Sequence, residues 1–141
     1  VRFAYYTGAR SGEIRRLSRD NVLDDSIVVS GKTGKRIVKL NKQAQRIIKV
    51  QDPLWSYNKE YVSHKFKKEC RNLNIRDARF HDLRRTFGYN LIKQGMPIYQ
   101  LSKLLGHSSV TTTEKHYAPL LATDIEEFIF GPVSTSTGIL V

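Results

Sequence analysis

Two β-branched runs, Ile27-Val28-Val29 and Arg36-Ile37-Val38-Lys39-Leu40, flank Lys32-Thr33-Gly34-Lys35 in a chain whose other apolar residues recur at helical spacing. β-branched side chains suit a pleated, half-buried surface, and a glycine-bearing turn between two such runs reads as an antiparallel hairpin. Its tip carries lysine. A third short strand is expected around Val22. Strands do not alternate with helices, so a doubly wound parallel sheet is excluded. The expected class is α+β, mainly α-helical, with a small antiparallel three-stranded sheet.

The helices are read from their stripes and their ends. Phe3 to Tyr6 reads as the end of a helix closed at Gly8, a plausible left-handed C′ residue. Ser11 is the expected N-cap of a short helix through Leu17, with Glu13 at the positive end of its dipole. Asn41 is expected to cap a helix bearing Ile47 and Ile48. Val62, Phe66, Cys70 and Leu73 form one helical face, and Leu83, Phe87 and Leu91 form another, closed by Gly95. Pro97 suits the first turn of a helix carrying Ile98, Leu101 and Leu105 and ending at Gly106. Thr111 with Glu114 resembles a capping box for a helix bearing Tyr117, which Pro119 is expected to interrupt. Cys70 reads as core and Trp55 as a packing anchor.

Composition narrows the function. The chain has 141 residues, the size of one domain. Its 24 Lys and Arg against 13 Asp and Glu give a net charge of +11, which favours a polyanionic partner, nucleic acid first. One cysteine, Cys70, allows neither an internal disulfide nor a cysteine zinc site. No run approaches the roughly 20 apolar residues of a membrane span. The opening Val1-Arg2-Phe3-Ala4 lacks the layout of a signal peptide, and a reducing cytoplasm is the expected setting. Residues 1–121 hold every Lys and Arg, whereas 122–141 hold Asp124, Glu126 and Glu127 and no base. The expected division is a basic body, 1–121, and an acidic, partly flexible tail, 122–141. The tail has a small apolar stripe, Ile125, Phe128 and Ile129.

Six side chains stand at structural punctuation points and could act together: Arg10, Lys32, His81, Arg84, His107 and Tyr117. Arginines offer planar, permanently charged forks that fit phosphate oxygens, and two could stabilise a pentacoordinate phosphorus. A tyrosine oxygen is a nucleophile once its proton is removed, and histidine can take that proton. Lysine can protonate a leaving alkoxide. Such a set calls for no metal and no cofactor. Taken singly, each residue has a plainer role: Arg10 with Glu13 as a surface i,i+3 pair, Lys32 as a solvated turn residue, His81 as a helix start. Arg84 would be a solvated base, His107 a dipole partner and Tyr117 a core aromatic. His64 and His116 lack metal-ligand spacing.

The residues come in an order that resembles the catalytic domain of the tyrosine recombinases, the phage integrase family. The resemblance rests on Thr7-Gly8-Ala9-Arg10-Ser11-Gly12-Glu13-Ile14, Gly31-Lys32-Thr33-Gly34-Lys35 and His81-Asp82-Leu83-Arg84-Arg85-Thr86-Phe87. It continues through Leu104-Leu105-Gly106-His107-Ser108-Ser109 and Thr113-Glu114-Lys115-His116-Tyr117-Ala118. It implies that Arg10 and Arg84 bind the scissile phosphate of double-stranded DNA and that His107 hydrogen-bonds a non-bridging oxygen. Lys32 would be the general acid toward the 5′-oxygen, His81 the acid–base partner, and Tyr117 the nucleophile of a 3′-phosphotyrosyl link. Glu13 would order the arginines. It implies further a recombinase that works as a tetramer on DNA, encoded by a bacterium, an archaeon or a virus. An N-terminal helical domain would be missing from this chain.

Two departures stand out. Many family members carry the tyrosine nine residues after the second histidine, where this chain has His116; Tyr117 is at ten. Lys35 lies three residues from Lys32 and competes for its role. Other readings remain open: a type IB topoisomerase, a catalytically silent DNA-binding module, and an RNA-binding protein suggested by charge alone.

Overall fold

In the computed structural model, which describes residues 1–32 and 34–122, β1 (Ser26–Gly31) and β2 (Gly34–Lys39) pair antiparallel from Ser26↔Lys39 to Gly31↔Gly34. The hairpin stands among seven α-helices of the described residues: α1 (Arg2–Thr7), α2 (Ser11–Arg15), α3 (Lys42–Val50), α4 (Lys59–Asn72), α5 (Asp82–Lys93), α6 (Ile98–Leu105) and α7 (Val110–Ala122). The class is α+β and mainly helical, as the patterning indicates. The sheet has two strands rather than three. Val22 contributes one isolated bridge to Ile27, beside a tight turn in which the Leu23 N–H donates to the Ser26 carbonyl at 2.8 Å. A 3-10 turn, Arg19–Asn21, directly precedes Val22, so the chain before it is coiled and offers no further extended residue to pair. The tail from residue 123 onward, with Asp124, Ile125, Glu126, Glu127, Phe128 and Ile129, lies outside the described residues.

Alternation along the strands builds the first core. Ile27, Val29 and Val38 are fully buried and pack with Phe3, Ala4, Ile14 and Leu17 of the N-terminal segment and Ala44 and Ile48 of α3. Trp55 stacks on Phe3 with ring centroids 4.8 Å apart, the packing role expected of it. A second cluster joins Phe87 of α5, Leu101 and Leu105 of α6 and Tyr117 of α7. Burial of such side chains contributes about 1.5–3 kcal/mol each. Cys70 is buried on α4, but Leu73, expected on the same face, falls just past the helix and is exposed.

Helix ends follow local chemistry, with corrections: α2 stops at Arg15 rather than Leu17, Pro97 is the N-cap of α6 rather than its first residue, and three further differences concern Ser11, Thr111 and Pro119. Gly8 ends α1 in the left-handed region at φ +67°, and a Cβ there would lie 2.4 Å from the Phe87 ring, so only glycine fits. The N-cap of α2 is Arg10, not Ser11, because the Glu13 carboxylate reaches back to accept from the Arg10 backbone N–H at 2.8 Å. Asn41 caps α3 as expected, its side-chain oxygen accepting from the Ala44 N–H at 2.9 Å. Helix α7 starts at Val110, so Thr111 is already helical; the Ser109 hydroxyl accepts from the Thr111 N–H at 3.2 Å. Pro119 does not interrupt α7, which continues to Ala122; proline forfeits one backbone donor, and that single loss leaves the helix running here.

Candidate active site

The site is built where the start of α2, the tip-ward half of the hairpin, the start of α5, the end of α6 and one face of α7 converge. Its framework is an acid–base lattice around Glu13, which is 3% exposed. Arg36 of β2 grips that carboxylate as a fork, Nε to Oε2 at 3.1 Å and Nη2 to Oε1 at 3.0 Å. Its third nitrogen, Nη1, donates to the Leu104 carbonyl at the end of α6, at 2.9 Å. Arg10 Nη1 stands 3.9 Å from Glu13 Oε2. Burial pushes the Glu13 carboxyl up, but the Arg36 and Arg10 hydrogen bonds and charges outweigh it and hold the group below its ordinary range. Glu13 therefore stays ionised and fixes the Arg10 backbone.

Arg84 lies on the inward face of α5 and is 4% exposed. Nη1 donates to the Gly8 carbonyl at 2.7 Å and Nη2 to the Leu105 carbonyl at 2.6 Å. Those bonds lock the guanidinium plane between α1 and α6. Burial and the nearby charges of Arg10 and Arg36 lower its pKa to about 10, so it remains charged at neutral pH. No carboxylate pairs with Arg84 directly among the described residues, which leaves a buried positive charge suited to an anion. His81 precedes α5 with one side open to solvent; partial desolvation of the side that faces the protein, then the Arg84, Arg10 and Arg85 charges, lower its pKa.

Gly106 ends α6 at φ +74°, and this left-handed turn aims His107 toward α7. His107 Nδ1 lies 2.6 Å from the Thr113 hydroxyl oxygen. Burial, with the charges of Arg84, Arg10, His116 and Arg36, lowers the His107 pKa to about 4. Tyr117 is 3% exposed. Its hydroxyl faces the Arg84 carbonyl at 3.5 Å, the long limit of a hydrogen bond, and burial raises its pKa despite Arg84 and Arg85. Gly88 makes this possible, because a Cβ there would lie 2.3 Å from the Tyr117 oxygen.

Arg10, Glu13, His81, Arg84, His107 and Tyr117 thus share one electrostatic neighbourhood. Lys32 does not join it: at the exposed hairpin tip it has no hydrogen bond or ion pair among the described residues, and neither does Lys35. Two contributors lay outside the sequence reading, Arg36 and Thr113. Arg36 had a usable signal. It shares a strand face with the fully buried Val38, and a base at an inward strand position needs a buried acid. Thr113 shares a helix face with Tyr117, four residues on. Among the described residues no group of three or more His, Cys, Asp or Glu side chains is placed to hold a metal ion.

The geometry can hold an anion against two arginines, offer a neutral imidazole as donor, and present a phenol beside them. The model of the phage integrase family matches residues 52–123. Tyrosine recombinase XerA of Saccharolobus solfataricus is 28% identical over 97% of this chain and 50% of its own length, so the chain spans about half of that relative. The crystal structure of XerA recombinase superposes with a TM-score of 0.69 at 19% identity, covering 90% of this chain and 57% of that one. XerH site-specific recombinase bound to palindromic difH substrate gives 0.69 at 19% identity over 87% of this chain and 43% of XerH. The catalytic domain of bacteriophage HP1 integrase gives 0.67 at 21% identity, over 89% of this chain and 79% of that domain. At these identities the structures establish a shared fold.

Proposed function

Because the chain belongs to the phage integrase family, we propose that its residues 1–121 form a catalytic domain for site-specific DNA strand breakage and rejoining. The Tyr117 oxygen attacks the scissile phosphorus, its proton passing to His81, which burial and the neighbouring arginines favour in the neutral form. Arg10 and Arg84 carry the added negative charge of the pentacoordinate phosphorus, and neutral His107 donates from Nε2 to a non-bridging oxygen. The bond to the 5′-oxygen breaks as Lys32 protonates it. A 3′-phosphotyrosyl link and a free 5′-hydroxyl remain. The bond energy is retained in that link, so a 5′-hydroxyl from another strand can reverse the step without ATP, a metal or a cofactor.

One observation carries this reading: the Tyr117 hydroxyl sits against the backbone carbonyl of Arg84, a buried arginine with no carboxylate partner among the described residues, with Arg10 and a neutral His107 beside it. A module that only binds DNA needs no phenol there. The net charge of +11 suits a double-stranded DNA partner. Self-association on DNA, as a tetramer, is part of the same proposal; XerH, a protein of similar fold, has been solved bound to its palindromic difH substrate.

Covalent trapping tests the proposal. DNA fragments carrying single nicks let the short product diffuse away and strand the protein on DNA. The expected result is an SDS-resistant adduct whose linked peptide contains Tyr117, absent from Tyr117→Phe although that variant still binds DNA. Undiminished adduct from Tyr117→Phe would place the nucleophile elsewhere. Relaxation of a supercoiled plasmid without strand exchange between duplexes would favour a topoisomerase.

A further inference from the structure

Lys32 stands at the hairpin tip without a partner among the described residues, so its position depends on what holds the strands beneath it. Two forks do so. Arg16 donates from Nε and Nη2 to the Ser30 carbonyl of β1, at 3.1 and 2.9 Å. Arg36 of β2 makes the reciprocal tie, gripping Glu13 at 3.1 and 3.0 Å and the Leu104 carbonyl at 2.9 Å. Ser30 is two residues before Lys32 and Arg36 four after it.

We propose that Arg36 is a positioning residue that sets Lys32 against the leaving oxygen; the inference rests on the strand-cleavage reading above. The Arg36 side chain is 16% exposed and both ends of its fork are occupied within the protein, so its effect passes through other groups rather than through DNA. The carboxylate it grips is the one that accepts from the Arg10 backbone N–H, and the carbonyl it holds is next to the Leu105 carbonyl held by Arg84. One guanidinium therefore ties the lysine-bearing hairpin to both arginines that would bind the phosphate. Lysine could keep the charge beside Glu13 but not the three-point geometry.

The test separates leaving-group protonation from the other steps. A DNA strand with sulfur in place of the bridging 5′-oxygen expels a thiolate, whose thiol ionises at about pH 8.5 and needs no general acid. On ordinary DNA at saturating concentration, Arg36→Gln should slow adduct formation roughly 10–100-fold, the range expected for a displaced proton donor. On the sulfur strand its rate should match the unsubstituted protein, as should that of Lys32→Ala. Arg36→Lys should fall between on ordinary DNA. Equal slowing on both strands, or weakened DNA binding with an unchanged rate at saturation, would overturn the inference. If Arg36→Gln does not fold by circular dichroism, Arg36→Lys carries the same comparison. An unsubstituted protein that forms no adduct on either strand would overturn the cleavage reading itself, an outcome distinguishable because no variant is then involved.

Discussion

His107 Nδ1 and the fully buried hydroxyl of Thr113 lie 2.6 Å apart, one on the turn after α6 and the other on α7. With its pKa at about 4, the ring is neutral at physiological pH, and a neutral imidazole carries a single proton. A hydroxyl donating to Nδ1 leaves that proton on Nε2, where it can serve a phosphate oxygen. Thr113→Val keeps the shape and removes the donor. It should cost about 1–3 kcal/mol of stability through the unsatisfied nitrogen and should mix the tautomers. Nitrogen-15 shifts of the His107 ring, recorded at pH 7, would report the tautomer directly. An unchanged Nε2–H ring in Thr113→Val would remove the threonine from this role.

The same histidine sets a pH dependence. Its folded pKa, about 4, lies below the ordinary value of 6.5, so between those values the unfolded chain binds the proton that the folded one refuses. Stability should fall as the pH drops from 6.5 toward 4, and this contribution should level off below 4. His107→Asn should flatten that part of the profile in thermal melts. A profile with the same slope in the variant would assign the loss to another group.

Glu13 acts in a lower window. Its folded pKa is depressed, so its contribution is present above its unfolded pKa, 4.5, and is lost as the pH falls through the lower folded value. Glu13→Ala would strand Arg36 in a largely buried setting. We expect a loss of about 3–5 kcal/mol at neutral pH, the range for breaking a buried pair on one side. Denaturant melts of the two proteins at pH 7 would measure it; a difference below 1 kcal/mol would show the pair to be dispensable.

Gly88 and Tyr117 form a close contact between α5 and α7. Gly88→Ala would place a methyl within 2.3 Å of the phenol oxygen, so the ring must leave its seat. Glycine to alanine normally strengthens a helix by about 1 kcal/mol. Here we expect the opposite: a lower melting temperature and a Tyr117 pKa that returns toward its ordinary 10.0 as burial is relieved. Spectrophotometric titration against Tyr117→Phe would isolate that phenol. A stabilised protein with an unmoved titration would mean that α7 absorbs the methyl.

Gly106→Ala should disturb two groups. The residue sits at φ +74°, where a side chain costs about 1–2 kcal/mol, and its Cβ would lie 2.4 Å from Arg36 Cδ. Arg36 would have to release Leu104 or Glu13. The expected outcome is a destabilised protein that also cleaves ordinary DNA more slowly than the sulfur-bridged strand. A purely thermal effect, with both strands cleaved at the parental ratio, would separate the turn from the tie.

Most of the fold was legible because its signals are local. The hairpin announces itself in two β-branched runs, the helix ends in Gly8, Asn41 and Gly106, and the inward faces in the spacing of Leu101 with Leu105 and of Phe87 with Leu91. The errors occurred where a distant or competing group intervened. Glu13 reaching back made Arg10 the cap instead of Ser11. Leu73 lost its expected burial because the helix ends one residue before it. The third strand shrank to one bridge because the 3-10 turn Arg19–Asn21 coils the chain up to Val22 and leaves no longer extended run to pair.

The sequence by itself determined the mainly helical class, the basic body, and the order of Arg10, Lys32, His81, Arg84, His107 and Tyr117, since residue type and spacing are properties of the chain. Only the tertiary structure decided that Arg84 is buried and held by two carbonyls, that His107 is neutral, and that Arg36 binds Glu13 across 23 positions of sequence. Burial and pairing depend on which elements meet in space. A guanidinium that is solvated in one fold and buried in another has the same letter in both.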